Sequence, residues 1–200
     1  LTFGGLYLRI FTAPAPGGFA LARAAPGAAA STRPLYRPQF LPNSAGWSVH
    51  SATAAEISRG RLRAFWYGGS REGAADVAIY TSVYSPADAT WSPERAVVTR
   101  EAAQRHLQRY LRKLGNPVVG QDRKGRLLLF FVSVTVGGWA GSAINLMGSV
   151  DEGETWSGPR RLIASPFFNI STLVKGSPVQ FADGAIGLPV YHEMLGKFGE

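Results

Sequence analysis

Charged, polar and aromatic residues lie at the ends of three similar apolar segments, at 51–69, 115–134 and 176–193. Their cations could bind an anionic group, and their carboxylates could transfer a proton. The candidates for binding are His50, Arg71, Lys113, Asn116, Trp139, Lys175, Tyr191 and His192, and the candidates for catalysis are Glu72, Asp76 and Glu193. Such a mixture would suit a sugar that carries a carboxylate, provided that the fold brings the three regions together.

Each of the three segments has the pattern of a β-hairpin. A short apolar run leads to a polar turn that ends in glycine, and a second run rich in β-branched or aromatic residues follows. The turn glycines are Gly60, Gly125 and Gly184, spaced by 65 and 59 residues. Glycine supplies the positive φ that a tight hairpin turn needs. The pattern therefore predicts three equivalent antiparallel hairpins.

A further strand and a turn closed by tryptophan follow each of the first two hairpins. The strands are "DVAIYTSVY" and "SAINLMGSV", and Trp91 and Trp156 lie 65 residues apart. A short fourth strand comes after each tryptophan, in "ATWSPERAVV" (89–98) and "ETWSGPRRLI" (154–163). Four antiparallel strands that repeat at this period are typical of β-propeller blades, so we predict an all-β fold with about three blades.

The stretch "SVDEGETW" (149–156) places its key residues at alternate positions. These residues are Ser149, Asp151, Gly153, Thr155 and Trp156. We predict a structural turn, in which Asp151 accepts hydrogen bonds from turn N–H groups, Gly153 permits the bend and Trp156 packs between blades. The counterpart "SPADATWS" in the first repeat is degenerate.

The pattern S-x-D-x-G-x-T-W is the Asp-box, and the chain resembles the bacterial sialidase (neuraminidase)-like family that carries BNR/Asp-box repeats. The similarity covers roughly residues 40–200 and includes "FWYGGSREGAADVAIY", "KLGNPVV", "VSVTVGGWAGSAINL", "SPFFNISTLVKGSPV" and "LPVYHEMLGKFGE". The resemblance implies a six-bladed propeller, of which 36–200 would be the N-terminal half. Because three blades cannot close a ring, we expect a longer protein.

In a meander blade, turns 1–2 and 3–4 lie on one face, with the Asp-boxes, and the strand starts and 2–3 connections lie on the other. The candidate residues collect on this second face. The resemblance implies an exo-acting glycoside hydrolase that releases a terminal sialic acid or related acidic sugar, without metal or organic cofactor. It implies Asp76 or Glu72 as the acid, Glu193 as a base partnered to a tyrosine, and Arg71, Lys113 and Lys175 as carboxylate contacts.

One departure from the family is visible in "GWSVHSAT", where His50 stands near the place of an arginine on the first inner strand. The three-arginine clamp and the nucleophilic tyrosine, which the family has in a later blade, are not visible. Two alternatives therefore stay open. The protein could be a non-catalytic carbohydrate-binding propeller, or a propeller enzyme that acts on another acidic sugar such as a uronate.

Several candidates also have purely structural interpretations. Arg71 and Glu72 could be a solvated turn pair, and Asp76 could cap the turn before the third strand. Lys113 belongs to "RHLQRYLRKLG", where Leu107, Leu111 and Leu114 have helical spacing. This spacing predicts a surface helix after Thr99 with solvated charges. Likewise, Tyr191 could be a wall of the pocket, and His50 and His192 could be structural.

The composition limits the remaining functions. The net charge is +8, but the basic residues are scattered, and the aromatic residues follow the strand period and not a stacking surface. Nucleic-acid binding is therefore disfavoured, and with no cysteine there is no disulfide or thiolate metal site. "LTFGGLYLRIF" is too short to span a bilayer. Residues 1–35, rich in Ala, Pro and Gly, are expected to be a leader or linker, consistent with a periplasmic or secreted protein.

Overall fold

The computed structural model describes residues 36, 38–164 and 169–193, and the predicted leader or linker at 1–35 lies outside the described residues. Strands are the main regular secondary structure of the described part. The strands are β1 (Ser48–Glu56), β2 (Leu62–Gly69), β3 (Ala78–Ser85), β4 (Thr90–Trp91), β5 (Arg95–Thr99), β6 (Lys113–Gln121), β7 (Leu127–Val134), β8 (Ser142–Ser149), β9 (Arg160–Arg161), β10 (Leu173–Val174), β11 (Val179–Gln180), β12 (Ile186–Gly187) and β13 (Val190–Tyr191). One α-helix, α1 (Arg100–Leu107), and two 3-10 turns, Ser58–Gly60 and Trp139–Gly141, complete this part.

The strands form two antiparallel sheets and a smaller unit. In the first sheet the order is β1-β2-β3-β4, and β5 also pairs with β3. The second sheet has the order β6-β7-β8-β9. In the third unit, β10 pairs with β13 and β11 with β12. This is the all-β arrangement of repeated meanders that the sequence predicts.

The turn glycines behave as the sequence predicts. Gly60, Gly125 and Gly184 have φ of +67°, +76° and +92° and close the β1–β2, β6–β7 and β11–β12 hairpins. At such angles an L side chain is strained, whereas glycine fits without steric strain. The three predicted hairpins are confirmed.

The core fills the space between the sheets. Phe65 from β2 and Ile79 from β3 pack with Leu127 and Phe131 of β7, all fully buried. Because side chains alternate along a strand, the opposite face of the second sheet forms another cluster, which includes Val132 and packs against the third unit. Burying one such side chain contributes roughly 1.5–3 kcal/mol, so these clusters fix how the sheets face each other.

The helix begins where the sequence predicts but ends earlier. Thr99 accepts a hydrogen bond from the N–H of Ala102 at 3.2 Å and caps the start of α1. The chain then leaves the helix at Gln108, whose φ is +49°. The prediction that the helix extends through Leu111 and Leu114 is wrong, since both leucines are buried in the core beyond the helix.

The Asp-box turn at 149–156 is held by local hydrogen bonds. Asp151 accepts from Ser149 Oγ at 2.7 Å, from Thr155 N at 2.9 Å and from Thr155 Oγ1 at 2.5 Å. The hydroxyl of Ser149 also accepts from Gly153 N at 2.7 Å, and the Trp156 indole donates to the Gly153 carbonyl at 3.0 Å. Hydrogen bonds from Thr155, then from Ser149, hold the pKa of Asp151 far below its usual range.

The same turn docks on the first sheet through arginines. Glu152 pairs with Arg61 at 2.6 Å, and Glu154 pairs with Arg63 and Arg95. In addition, Arg95 Nη2 donates to the Gly153 carbonyl at 2.7 Å. The Arg63 side chain is almost completely buried, so its charge depends on Glu154 for compensation. The turn is therefore a joint between the two sheets.

None of the helices in the described ranges has the length and apolar character needed to span a membrane.

Candidate functional site

A cleft of about 470 Å³ opens at the ends of the sheets opposite the Asp-box turn. The start of β1, the start of β6, the loops after β2 and β7 and the third unit all contribute to it. Its lining residues are His50, Ser51, Tyr67, Glu72, Asn116, Trp139, Leu173, Lys175, Tyr191 and Glu193. Most of the binding and catalytic candidates from the sequence thus meet in one place, although they come from three repeats.

The floor of the cleft contains two equivalent strand irregularities. The β1–β2 register shifts between His50 and Thr53, and the β6–β7 register shifts between Gly115 and Val118. Inside these bulges, Ser51 and its counterpart 65 residues later, Asn116, have positive φ of +52° and +42°. Bulges re-aim side chains, and strained backbone is often found at functional sites.

The two bulged residues contact each other across the inner strands. Ser51 Oγ donates to Asn116 Oδ1 at 3.3 Å. The Asn116 amide also interacts with the phenol of Tyr191 from the third unit. One amide side chain therefore connects all three repeats at the cleft floor, which makes Asn116 a central polar residue of the site.

Tyr67 is a residue of the cleft that the sequence analysis missed. It pairs with His50 across β1 and β2, and the two rings stack at 5.5 Å with an angle of 22°. Burial, followed by the charge and hydrogen bond of Glu72, raises the pKa of Tyr67 well above its usual range. In "FWYGG" the residue reads as strand core. Its one distinguishing signal is its position at the strand end, just before a polar loop.

Tyr191 is more accessible than Tyr67 and lies beside the second carboxylate. Burial and the charge of Glu193 raise its pKa, while the hydrogen bond with Asn116 acts in the opposite direction. The cleft thus contains two phenols and two carboxylates, and each phenol lies close to one carboxylate.

Lys113 lies behind the cleft wall. Its Nζ is 4.2 Å from the centroid of the Trp139 ring, and the residue is 7% exposed in β6. The prediction of a solvated lysine on a helix is wrong, because the strand β6 turns this side chain toward Trp139. Trp139 in turn covers Gly115, where a Cβ would come within 2.6 Å of the indole. Cation–π contact therefore joins the lysine to the wall.

Besides Lys113, three further predicted site residues do not line the cleft. Asp76 accepts hydrogen bonds from the backbone N and the Oγ of Ser70, both at 3.1 Å, and so fixes the loop before β3. His192 Nδ1 lies 2.8 Å from the carbonyl of Ser171. Arg71 is exposed on the loop. The roles given to them in the sequence analysis remain predictions.

Lys175 is the cation that lines the cleft directly, and Lys113 adds a second positive charge behind Trp139. Two acidic residues, Glu72 and Glu193, also line the cleft. Within the described part of the chain, no three His, Asp or Glu side chains converge as a metal site. The cleft combines proton-transfer groups with a cation that could hold an anionic substituent.

Antiparallel meanders that repeat along the chain, with a hydrogen-bonded turn at one end and a polar cleft at the other, define a β-repeat protein. The BNR repeat-like domain family matches residues 60–200, and the chain belongs to that family. Among the curated proteins no match was found.

Two solved structures have a similar fold. Hadza microbial sialidase Hz136 has a TM-score of 0.55 and 19% identity, over 71% of this chain and 32% of that one. An unknown function protein from Dyadobacter fermentans DSM 18053 also has a TM-score of 0.55, with 12% identity over 70% of this chain and 45% of that one. This chain therefore spans less than half the length of either structure.

Proposed function

We propose that the chain is part of a β-propeller, in which the first and second sheets are adjacent blades and the third unit belongs to the next blade. The inner strands β1 and β6 lie side by side, and the second sheet packs against the third unit through a separate apolar cluster. Both features are expected of blades arranged around an axis. The similarity to solved sialidase-like folds supports the same arrangement.

The function that we propose is exo-acting glycoside hydrolysis of sialidase type, on a terminal sialic acid or a related acidic sugar. The observation that carries the proposal is that Glu72 and Glu193, from different repeats, share one cleft with Lys175. Glycoside cleavage needs a group that protonates the leaving oxygen and a second group that assists attack. A lysine can bind the carboxylate of an acidic sugar.

In this mechanism Glu72 donates the proton to the leaving oxygen, because it occupies the loop after β2 and lines the cleft, whereas Asp76 is engaged by Ser70. Glu193 acts as the base on the other side. The ammonium of Lys175 pairs with the sugar carboxylate, and the Trp139 ring offers an apolar face to the sugar. These assignments concern the described residues, and further groups can come from other blades.

A second candidate function is glycan binding without catalysis, or action on a uronate. It is favoured by the type of cation in the cleft, since Lys175 lines it and no arginine does so among the described residues. A lysine is a point charge, whereas arginine grips a carboxylate bidentately. Because a lysine fixes the orientation of a carboxylate less strictly than an arginine does, the cleft would accept a different acidic sugar. For either function we propose a periplasmic or secreted location, where such glycans are found.

The test uses the natural full-length protein with a fluorogenic sialoside and a matched glucuronide. We expect turnover of one substrate, with kcat lowered roughly 10²-fold or more by Glu72→Gln and by Glu193→Gln. The control is Glu56→Gln, which changes an exposed glutamate at the far end of β1. Binding of either sugar without turnover by the folded wild type would contradict hydrolysis and support a binding protein.

A further inference from the structure

Tyr67 is a buried phenol at the edge of a polar cleft, and the proposed reaction gives it no direct part. Only 3% of its surface is exposed, yet it is among the residues that line the cleft. A phenol that is mostly withdrawn from water benefits from a hydrogen-bond partner within the cleft. Glu72 lines the same cleft, and its carboxyl group acts on the Tyr67 phenol.

The ring of Tyr67 is held firmly. It lies on β2 between paired strands, opposite His50 in the register, and the two rings stack at 5.5 Å. The His50 ring is in turn held by Ser48, whose Oγ lies 3.2 Å from Nε2. The hydroxyl of Tyr67 therefore has a position that is set by the sheet and not by the loop.

Glu72 has the opposite character, because it is exposed and projects from the loop after β2. Two contacts fix the loop backbone around it. Asp76 accepts hydrogen bonds from Ser70, and Lys113 packs beneath Gly73, where a Cβ would lie 3.3 Å from the lysine Cδ. Neither contact orients the Glu72 side chain itself, which could adopt several rotamers in solvent.

We propose that Tyr67 is a positioning residue, whose hydroxyl donates a hydrogen bond to the Glu72 carboxyl group and holds this side chain in the cleft. With one oxygen of Glu72 engaged by Tyr67, the other oxygen is left for the leaving group of the substrate. A rigid sheet residue thus orders an exposed loop residue. The proposal rests on the proposed function for its consequence in catalysis, but the pairing itself does not depend on it.

The first test is kinetic and uses Tyr67→Phe, which keeps the ring on His50 and removes the hydroxyl. Because the Glu72 carboxyl group becomes negatively charged as it gives up its proton, losing a hydrogen bond from Tyr67 should lower kcat about tenfold to hundredfold while KM changes little. The melting temperature should stay close to that of the wild type. The control is Tyr84→Phe, a tyrosine on β3 that lies away from the cleft and packs on Trp91. An unchanged kcat for Tyr67→Phe would overturn the proposal.

The second test needs no turnover. The ionisation of Tyr67 is followed with tyrosines labelled for NMR, and its signal is identified by its loss in Tyr67→Phe. The groups that face the phenol are Glu72, Tyr191 and the His50 ring. We expect Glu72→Gln to lower the pH at which Tyr67 ionises, because the substitution removes a negative charge beside the phenol.

The two tests separate the two hypotheses. If Glu72→Gln leaves the ionisation of Tyr67 unchanged, the pairing is absent and the positioning role is refuted, whatever the activity. If the ionisation shifts but the wild type hydrolyses no acidic glycoside, the pairing stands and the proposed function fails. In that case, weaker binding of the acidic sugar by Tyr67→Phe than by wild type would retain the positioning role in a binding site, and equal binding would refute it.

Discussion

The two ends of the same strands are built differently. At the Asp-box end, the turn at 149–156 is closed by short hydrogen bonds from its own residues, and the arginines of the first sheet bind its glutamates. At the cleft end, the strands carry bulges, and Ser51 and Asn116 adopt strained left-handed backbone with a longer hydrogen bond of 3.3 Å between them. The Asp-box end therefore stabilises the fold, whereas the cleft end accepts backbone strain at the residues that form the site.

The two sheets also differ from each other at the Asp-box end. In the first sheet, the turn at 85–91 keeps a hydrogen bond of 2.7 Å between Ser85 Oγ and Asp88, but it lacks the glycine that the complete turn has at Gly153. The complete turn reaches the neighbouring sheet through three arginines. Repetition of a motif in sequence therefore does not mean that each copy contributes equally.

The largest expected effect on the Asp-box end comes from Gly153→Ala. Gly153 has φ of +91°, and a Cβ there would lie 2.6 Å from Cδ of the buried Arg63. We expect a loss of about 3 kcal/mol in the free energy of unfolding, from backbone strain and overpacking together. Gly125→Ala is the control, since its φ is +76° and the nearest atom would be 3.7 Å away. It should cost about 1 kcal/mol in urea unfolding. Equal losses for the two variants would mean that the Arg63 side chain moves aside without cost, and would contradict overpacking at Gly153.

Smaller losses of unfolding free energy are expected from removing the ion pairs between the turn and the arginines of the first sheet. Glu154→Gln leaves the buried Arg63 without its ion pair, whereas Glu152→Gln breaks a pair whose two side chains are each 35% exposed. We expect a loss of about 2 kcal/mol for the first, below that of a fully buried pair because Glu154 is itself exposed. The second should cost less than about 1 kcal/mol. Both losses are measured by chemical denaturation. A larger loss for Glu152→Gln than for Glu154→Gln would contradict the role of the turn as a joint between the sheets.

The pH dependence of stability tests Asp151. Its pKa is held far below the ordinary value near 3.8 by hydrogen bonds from Thr155 and Ser149. Because the folded protein favours the ionised form, this group stabilises the fold above that ordinary value and progressively less as the pH falls below it. Asp151→Asn should therefore lower the melting temperature at neutral pH, and the difference from wild type should narrow in acid. Asp88→Asn in the degenerate turn should change it less. A pH-independent difference would contradict this origin.

The smallest expected effect on stability belongs to the cleft end. Ser51→Gly removes a hydrogen bond of 3.3 Å to Asn116 but relieves the strain of a serine at φ of +52°. The two effects should offset each other, so the free energy of unfolding should change by no more than about 0.5 kcal/mol. Sugar affinity should fall in the same variant, since Ser51 lines the cleft. A large destabilisation measured by urea unfolding would show that the bulge is structural.

Much of the fold could be predicted from local chemistry. Glycines at fixed offsets set the hairpin turns, and the long strands β2, β3 and β7 are recognisable from their β-branched and aromatic residues. The start of α1 was also predictable, since Thr99 is a good N-cap. The end of the helix was not, because Leu111 and Leu114 have helical spacing but gain more by entering the core between the sheets.

The candidate site was only partly predictable. Repeat alignment places His50, Asn116 and Lys175 near one face, and all three line the cleft. It could not tell that Glu72 lines the cleft and Asp76 does not, since the two share a loop and hydrogen bonds from Ser70 orient Asp76. Tyr67 was missed because its aromatic ring in a strand is typical of a core residue, although the residue lines the cleft.

The sequence by itself determined the repeating unit, the turn geometry and the chemistry available at each strand end, because these depend on neighbours a few residues apart. Only the tertiary structure decided which side chains meet. Ser51 and Asn116 are 65 residues apart in the chain, and they are joined because β1 packs beside β6. That packing depends on the burial of apolar side chains from both sheets at once, which no single repeat specifies.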